Sequence, residues 1–125
     1  MFSAKESDTE YRFGDWGPGY LARGPRTDFG LCVLRPGDAF PNHFHRNIEE
    51  GFFVLEGECT LWHDCKERFV LRPGDYHRCD PGEMHYFVNE SDAMFKMAFI
   101  KAPWDPDDVV VVEWTPGDPI PDVER

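Results

Sequence analysis

Residues 37–57 read GDAFPNHFHRNIEEGFFVLEG, and this stretch decides both the fold and the chemistry. His43 and His45 stand two apart. A strand's period of two sends both imidazoles to one face, about 6.6 Å apart along the chain, so the rings can converge on one ion. Glu50 follows five residues after His45, at the head of the apolar run Gly51 to Leu55. A turn at Arg46-Asn47-Ile48 brings its carboxylate back alongside the histidines. His85 comes after the Pro81-Gly82 turn, where a distant part of a closed sheet can deliver a fourth ligand. Nitrogen and carboxylate donors together suit Mn, Fe, Co, Ni, Cu or Zn, and the lack of a thiolate among them argues against a purely structural zinc site.

Outward from this stretch the chain is a series of short aromatic and β-branched runs. Phe29 to Arg35, Gly51 to Leu55, Cys59 to His63, Arg68 to Leu71, Tyr76 to Cys79, His85 to Val88, Met94 to Ile100 and Val109 to Trp114 each read as a strand. Turn signals separate them, with Pro-Gly at 36, 73, 81 and 116. Eleven glycines and eleven prolines in 125 residues punctuate too often for long helices. The reading is therefore an all-β domain, a small antiparallel β-barrel or jelly roll. Residues 1–27 form an N-terminal segment with a short strand packing on the barrel, residues 28–102 the barrel, and residues 103–125 an acidic, proline-rich extension with one strand. Tyr11 to Trp16 reads as an apolar anchor followed by a turn at Gly17-Pro18-Gly19.

Composition limits the partners. The formal net charge is −11, and no run of basic residues exceeds two, so nucleic acid and anionic membrane surfaces are disfavoured. Seven acidic residues lie in 105–125 against Arg125 alone, which makes that extension read as solvated. No apolar stretch is long enough to span a membrane, and the first ten residues lack a signal-peptide core, so a soluble, cytoplasmic protein is expected. The four cysteines show no C-x-x-C spacing and read as ordinary buried thiols.

Taken together, the motif spacings resemble those of the cupin superfamily. The first cupin motif, G-x5-H-x-H-x3or4-E-x6-G, is met by Gly37, His43, His45, Glu50 and Gly57. The second, G-x5-P-x-G-x2-H-x3-N, is met by Gly74, Gly82, His85 and Asn89, with the proline displaced to Pro81 and Asp80 in its slot. The resemblance implies a β-barrel holding one divalent metal ion through His43, His45, Glu50 and His85. Glu49 competes with Glu50 under the shorter spacing, but its distance to Gly57 would then be one residue too long. If these ligands face inward, parity sends Phe52, Val54 and Phe87 inward too, giving an apolar lumen around the ion.

Four protein ligands leave two positions of a six-coordinate ion open for a bidentate oxygen ligand. The resemblance thus implies a metal-dependent enzyme acting on a small oxygen-rich metabolite, such as a sugar, uronate, keto acid or carboxylic acid, by isomerase, lyase or decarboxylase chemistry. An Fe- or Mn-dependent dioxygenase and a non-catalytic small-molecule-binding cupin are the alternatives. Tyr76 and His77 are the leading candidates for a general base, with Tyr86 and Lys96 behind them. His63 and His77 are otherwise expected near the surface or behind the ligands, and Asn89 in a turn. A homodimer is expected because Val109 to Val112 and the aromatic N-terminal segment supply strands beyond those a small barrel needs.

Overall fold

Runs of four to eight residues between turns can bury their apolar side chains only by pairing with one another, and they do so throughout. The computed structural model describes residues 1–125. Apart from a single 3-10 turn at Glu6–Asp8, every regular element is a strand: β1 (Gly17–Arg23), β2 (Asp28–Leu34), β3 (Ala39–Phe44), β4 (Glu49–Glu56), β5 (Cys59–His63), β6 (Glu67–Leu71), β7 (Tyr76–Cys79), β8 (His85–Val88), β9 (Phe95–Ala102) and β10 (Val110–Val111). They form two five-stranded antiparallel sheets, ordered β1-β2-β9-β4-β7 and β10-β3-β8-β5-β6, in a jelly-roll arrangement. No helix is long and apolar enough to cross a membrane.

Alternation along the strands builds the core between the sheets. Leu34, Val54, Leu61 and Phe95 are almost wholly buried there, together with Phe52, Phe87, Met97 and Phe99. Each such side chain contributes about 1.5–3 kcal/mol by leaving water. All four cysteines are free and buried.

Three segments depart from the sequence reading. Gly17-Pro18-Gly19 is not a turn but the start of β1, with Gly19 opposite Leu31. Small residues are needed there because the N-terminal segment folds back over them: Arg12 N–H donates to Pro18 O (2.9 Å), and a Cβ on Gly19 would stand 2.6 Å from Thr9 Cγ2. β3 begins at Ala39 and stops at Phe44, one residue short of His45; it runs through Pro41, which has no N–H for a ladder and sits where the pairing with β8 shifts register between Phe40 and His43. The expected strand Val109 to Trp114 shortens to Val110–Val111, paired with Phe44 and His43.

After β10 the chain does not run out into solvent. Val112 and Trp114 are buried in a second cluster with Phe44, Cys65, Met84 and Tyr86. This cluster holds outward-facing side chains of β3 and β8, so the extension covers the outer face of its sheet. Buried Asn42 anchors it, giving its side-chain Nδ2–H to Val112 O (3.1 Å) while its main-chain carbonyl accepts Val112 N–H (3.0 Å). The solvated tail inferred from its charge is thus corrected: Asp107, Glu113, Asp118, Asp122 and Glu124 are exposed, but Asp105 and Asp108 line the cavity, and the apolar residues between them do the covering. Of the segments expected to pair across a two-fold, Val110–Val111 pairs with β3 within the chain, and Tyr11 of the aromatic N-terminal segment bridges Gly14 and Gly19.

Gly57, the last position of the first motif, has φ +72°, and a Cβ there would lie 2.2 Å from Met94 O. Gly57→Ala is expected to lower unfolding free energy by at least about 1–3 kcal/mol through left-handed backbone strain, measured as a shift of the urea midpoint.

Candidate metal centre

The irregularity in β3 aims the first two histidines. Because pairing slips between Phe40 and His43, Pro41 O is free to accept the His43 Nδ1–H (2.8 Å). His85, the first residue of β8, gives its Nδ1–H to Glu83 O (3.2 Å), and His45 gives its Nδ1–H to Asp108 O. A carbonyl can only accept, so these contacts assign the same tautomer to all three rings, with Nε2 unprotonated in the neutral form. Each ring is therefore set to ligate through Nε2, with its other nitrogen held by the backbone, the usual support of a metal-bound histidine.

Glu50 enters from the opposite sheet, from the second position of β4. Its Oε1 lies 3.1 Å from His45 Nε2 and 3.2 Å from His85 Nε2. The donor atoms of His43, His45, Glu50 and His85 all fall within 4.8 Å of one another, and all four residues are buried. With Nδ1 held by a carbonyl on each ring, the four inward atoms are acceptors unless a ring takes up a second proton, and a cation at their centre satisfies all four at once. The set fits a divalent metal ion with three imidazoles and one carboxylate. Glu49, by contrast, points outward to Arg78 (3.5 Å).

The electrostatics agree with this role. Burial, then repulsion from His85, pushes His43 down to about 3, so its imidazole stays neutral. Burial alone would raise Glu50, but hydrogen bonding to His45 and His85, and then the charge of the histidine cluster with His85 foremost, overcome this and hold it below the ordinary carboxylate range. Burial works against a charged His45, yet the hydrogen bond and charge of Glu50 leave it above the usual histidine value. Cys32, also at the cavity wall, is pushed up to about 12 by burial and then by the charge of Glu50, so it remains a thiol.

The loop between His45 and Glu50 is held from the C-terminal extension. Asp108 Oδ1 accepts Arg46 N–H (2.7 Å), and its Oδ2 accepts Asn47 N–H (2.7 Å) and Ile48 N–H (2.9 Å). Asp108 therefore secures the ligand loop with its carboxylate and His45 with its carbonyl. Burial would raise its carboxyl, but the three N–H groups hold it below its ordinary value.

A cavity of about 260 Å³ opens onto the four ligands. Phe52 and Phe87 line it as strand parity requires, and Val54 lies deeper, in the core. Four groups at the cavity were missed in the sequence. Lys101 donates to the Tyr20 hydroxyl (2.6 Å), and Arg12 and Arg23 stand over the rings of Phe40 and Tyr20. Lys101 was recoverable from the alternation Phe95, Met97, Phe99, Lys101. Tyr20 was lost with the misread start of β1.

Neither Tyr76 nor His77 reaches the cavity. β7 is an edge strand on which Tyr76 faces solvent and lies against Gly51, whereas His77 packs on His63 and Phe69. The placement of Tyr76 and His77 as general bases is thus corrected by the direction of β7. Tyr86 points into the outer cluster with Trp114, and Lys96 pairs with Glu6. Asn89 sits in a turn, giving Nδ2–H to Leu34 O (3.0 Å) and Ala93 O (2.8 Å).

Four outcomes are expected. Glu50→Ala and His85→Ala should lose the metal, and Glu50→Gln nearly so because it lacks the anionic ligand. In each the barrel stays folded, read by metal analysis beside circular dichroism; Glu49→Ala should retain the ion. Asp108→Ala should weaken metal affinity by roughly tenfold through the freed loop, measured by competition with a chelator. For pH, a carboxyl lowered in the folded state stabilises above its unfolded value of about 4 and loses that contribution as pH falls through its folded value. Thermal melts of the wild type and Asp108→Asn should therefore converge in acid. Because protons compete with the ion at His45, metal affinity should also fall as pH drops through the neutral range.

Comparison with known proteins places this geometry. The family described as cupin domain matches residues 30–101. The chain is 36% identical over 85 residues to quercetin 2,3-dioxygenase of Bacillus subtilis, covering 65% of this chain and 25% of that one. It is also 36% identical over 78 residues to polyketide synthase CurC of Streptomyces cyaneus, covering 62% of this chain and 49% of that one. The alignments thus span half or less of these relatives. Among solved structures, the polyketide cyclase RemF from Streptomyces resistomycificus superposes with a TM-score of 0.74 at 21% identity, over 92% of this chain and 87% of that one. With its two motifs, its paired sheets and its matching family profile, the chain belongs to the cupin family.

Proposed function

We propose that this protein is a metal-dependent enzyme acting on a planar, oxygen-rich compound with enolic or phenolic oxygens, by non-oxidative proton-transfer chemistry such as isomerisation, cyclisation or decarboxylation. The observation that carries the reading is the composition of the cavity. Aromatic walls from Phe40, Phe52, Phe87 and Phe99 enclose the ligands, and three cationic side chains, Arg12, Arg23 and Lys101, lie on the same walls. Flat apolar surfaces accept a ring or a conjugated chain, and the cations favour oxygens carrying negative charge. The relatives named for quercetin and for polyketides support the same substrate class.

A divalent ion held by His43, His45, Glu50 and His85 supplies Lewis-acid polarisation of a carbonyl or hydroxyl oxygen. The chain's own groups do the rest. The apolar walls displace water from the reacting carbon. Arg12 and Arg23 orient the anionic end. Tyr20, whose oxygen accepts from Lys101, keeps its own proton free for the cavity and is the group placed to give or take a proton there. The likeness to quercetin 2,3-dioxygenase favours a second reading, oxygenation of the same class of compound.

Metal-loaded protein is to be assayed against flavonols, poly-β-carbonyl compounds, keto acids and uronates, with and without dioxygen. Turnover unaffected by removing dioxygen is expected. Consumption of dioxygen would assign the oxygenase reading, and no turnover of any compound would leave a binding protein. Tyr20→Phe should lower kcat by about 10²-fold or more while the metal stays bound.

We also propose a homodimer. The extension covers the outer face of one sheet, whereas Phe29, Phe53 and Ile100 stand exposed on neighbouring strands of the other. A sedimentation mass of 14.5 kDa at micromolar concentration would overturn it.

A further inference from the structure

His77 and Cys79 are two apart on β7, so both side chains face inward from the edge of their sheet, and His63 at the end of β5 meets them from the other sheet. His63 Nδ1 lies 3.1 Å from His77 Nε2 and 3.8 Å from Cys79 Sγ. The three donor atoms fall within 4.8 Å of one another. A tetrahedral zinc ion with Zn–N of about 2.05 Å and Zn–S of about 2.3 Å requires N···N of about 3.3 Å and N···S of about 3.6 Å, close to what is found.

The surroundings supply a second, independent sign. His63 gives its Nε2–H to Glu83 Oε2 (2.7 Å), and Glu83 Oε1 is itself fixed by Asp80 N–H (2.6 Å). A carboxylate, an imidazole and a ligating nitrogen in line are the usual support of a metal-bound histidine. With Nε2 committed to Glu83, His63 Nδ1 presents a lone pair to His77 and Cys79. The donors lie apart from the cavity, since none of the three lines it.

We propose that His63, His77 and Cys79 form a second metal site, distinct from the centre at Glu50, that binds zinc or a similar thiophilic divalent ion. Binding breaks the Cys79 S–H bond and forms a metal–sulfur bond, and the thiol proton leaves to solvent. His77 takes the tautomer with Nδ1–H. Three protein donors leave the fourth tetrahedral position for water or a small ligand. His63 and Glu83 are half-buried, so the ion reaches the site from solvent without crossing the barrel.

The first centre contains no sulfur, so cobalt separates the two. Co(II) titrated into the metal-free protein should bind at two ions per chain, with a thiolate-to-cobalt charge-transfer band in the near ultraviolet. That band should persist in His43→Ala/His45→Ala, which disables the first centre, and in Cys32→Ser. It should vanish in Cys79→Ser while one cobalt remains bound. X-ray absorption of the zinc-loaded Glu50→Gln protein should show a sulfur neighbour at about 2.3 Å, a reading that needs no substitution at the new site. One ion per chain without a charge-transfer band, a band that survives Cys79→Ser, or a zinc shell free of sulfur would overturn the proposal.

Discussion

A carboxylate placed in the apolar interior of a barrel must be neutralised, and Glu50 is the constraint on which the site depends. Uncompensated, a buried charge of this kind costs several kcal/mol. Its neighbours lie on separate elements: His43 on β3, His45 just beyond that strand's end, and His85 on β8, in the sheet facing β4. Bringing them within reach of one oxygen requires the two sheets to be stacked in register at this depth. The slip in β3 at Pro41 meets that requirement locally, turning His43 inward and freeing a carbonyl to hold its other nitrogen.

The acidic extension belongs to the same arrangement. Its apolar residues cover the outside of the sheet that carries the histidines, and Asn42, the residue next to His43, ties it down at Val112. Its Asp108 then grips the backbone of the loop leading from His45 to Glu50. A segment that looks like solvated charge thus stiffens the ligand loop from outside the barrel. Precise ligand positions depend on such support, because side chains on an unsupported loop would sample many geometries.

Much of the fold and the gathering of His43, His45, Glu50 and His85 was legible in the sequence because both rest on short-range periodicity. Two-residue alternation places His43 with His45 and sends Phe52 and Phe87 to the lumen, and the Pro-Gly turns mark where strands stop. Tyr20 and the pairing role of Lys101 were not legible. The glycines before Tyr20 look like a turn, and only the N-terminal segment packed against them shows that they allow close approach. Tyr76 and His77 failed as cavity residues because sequence cannot say which strand forms a sheet edge.

By itself, then, the sequence determined the all-β class, the inward face of each strand flanking the motifs, and the donor types that gather around Glu50. These follow from chemistry and from a period of two, which act over a few residues. Only the tertiary structure decided that His63, reaching from β5, would meet His77 and Cys79, and that Asp108 would clasp a loop some sixty residues earlier. Contacts between distant strands depend on sheet order and on the register shifts within each pair, and neither leaves a local signal in the chain.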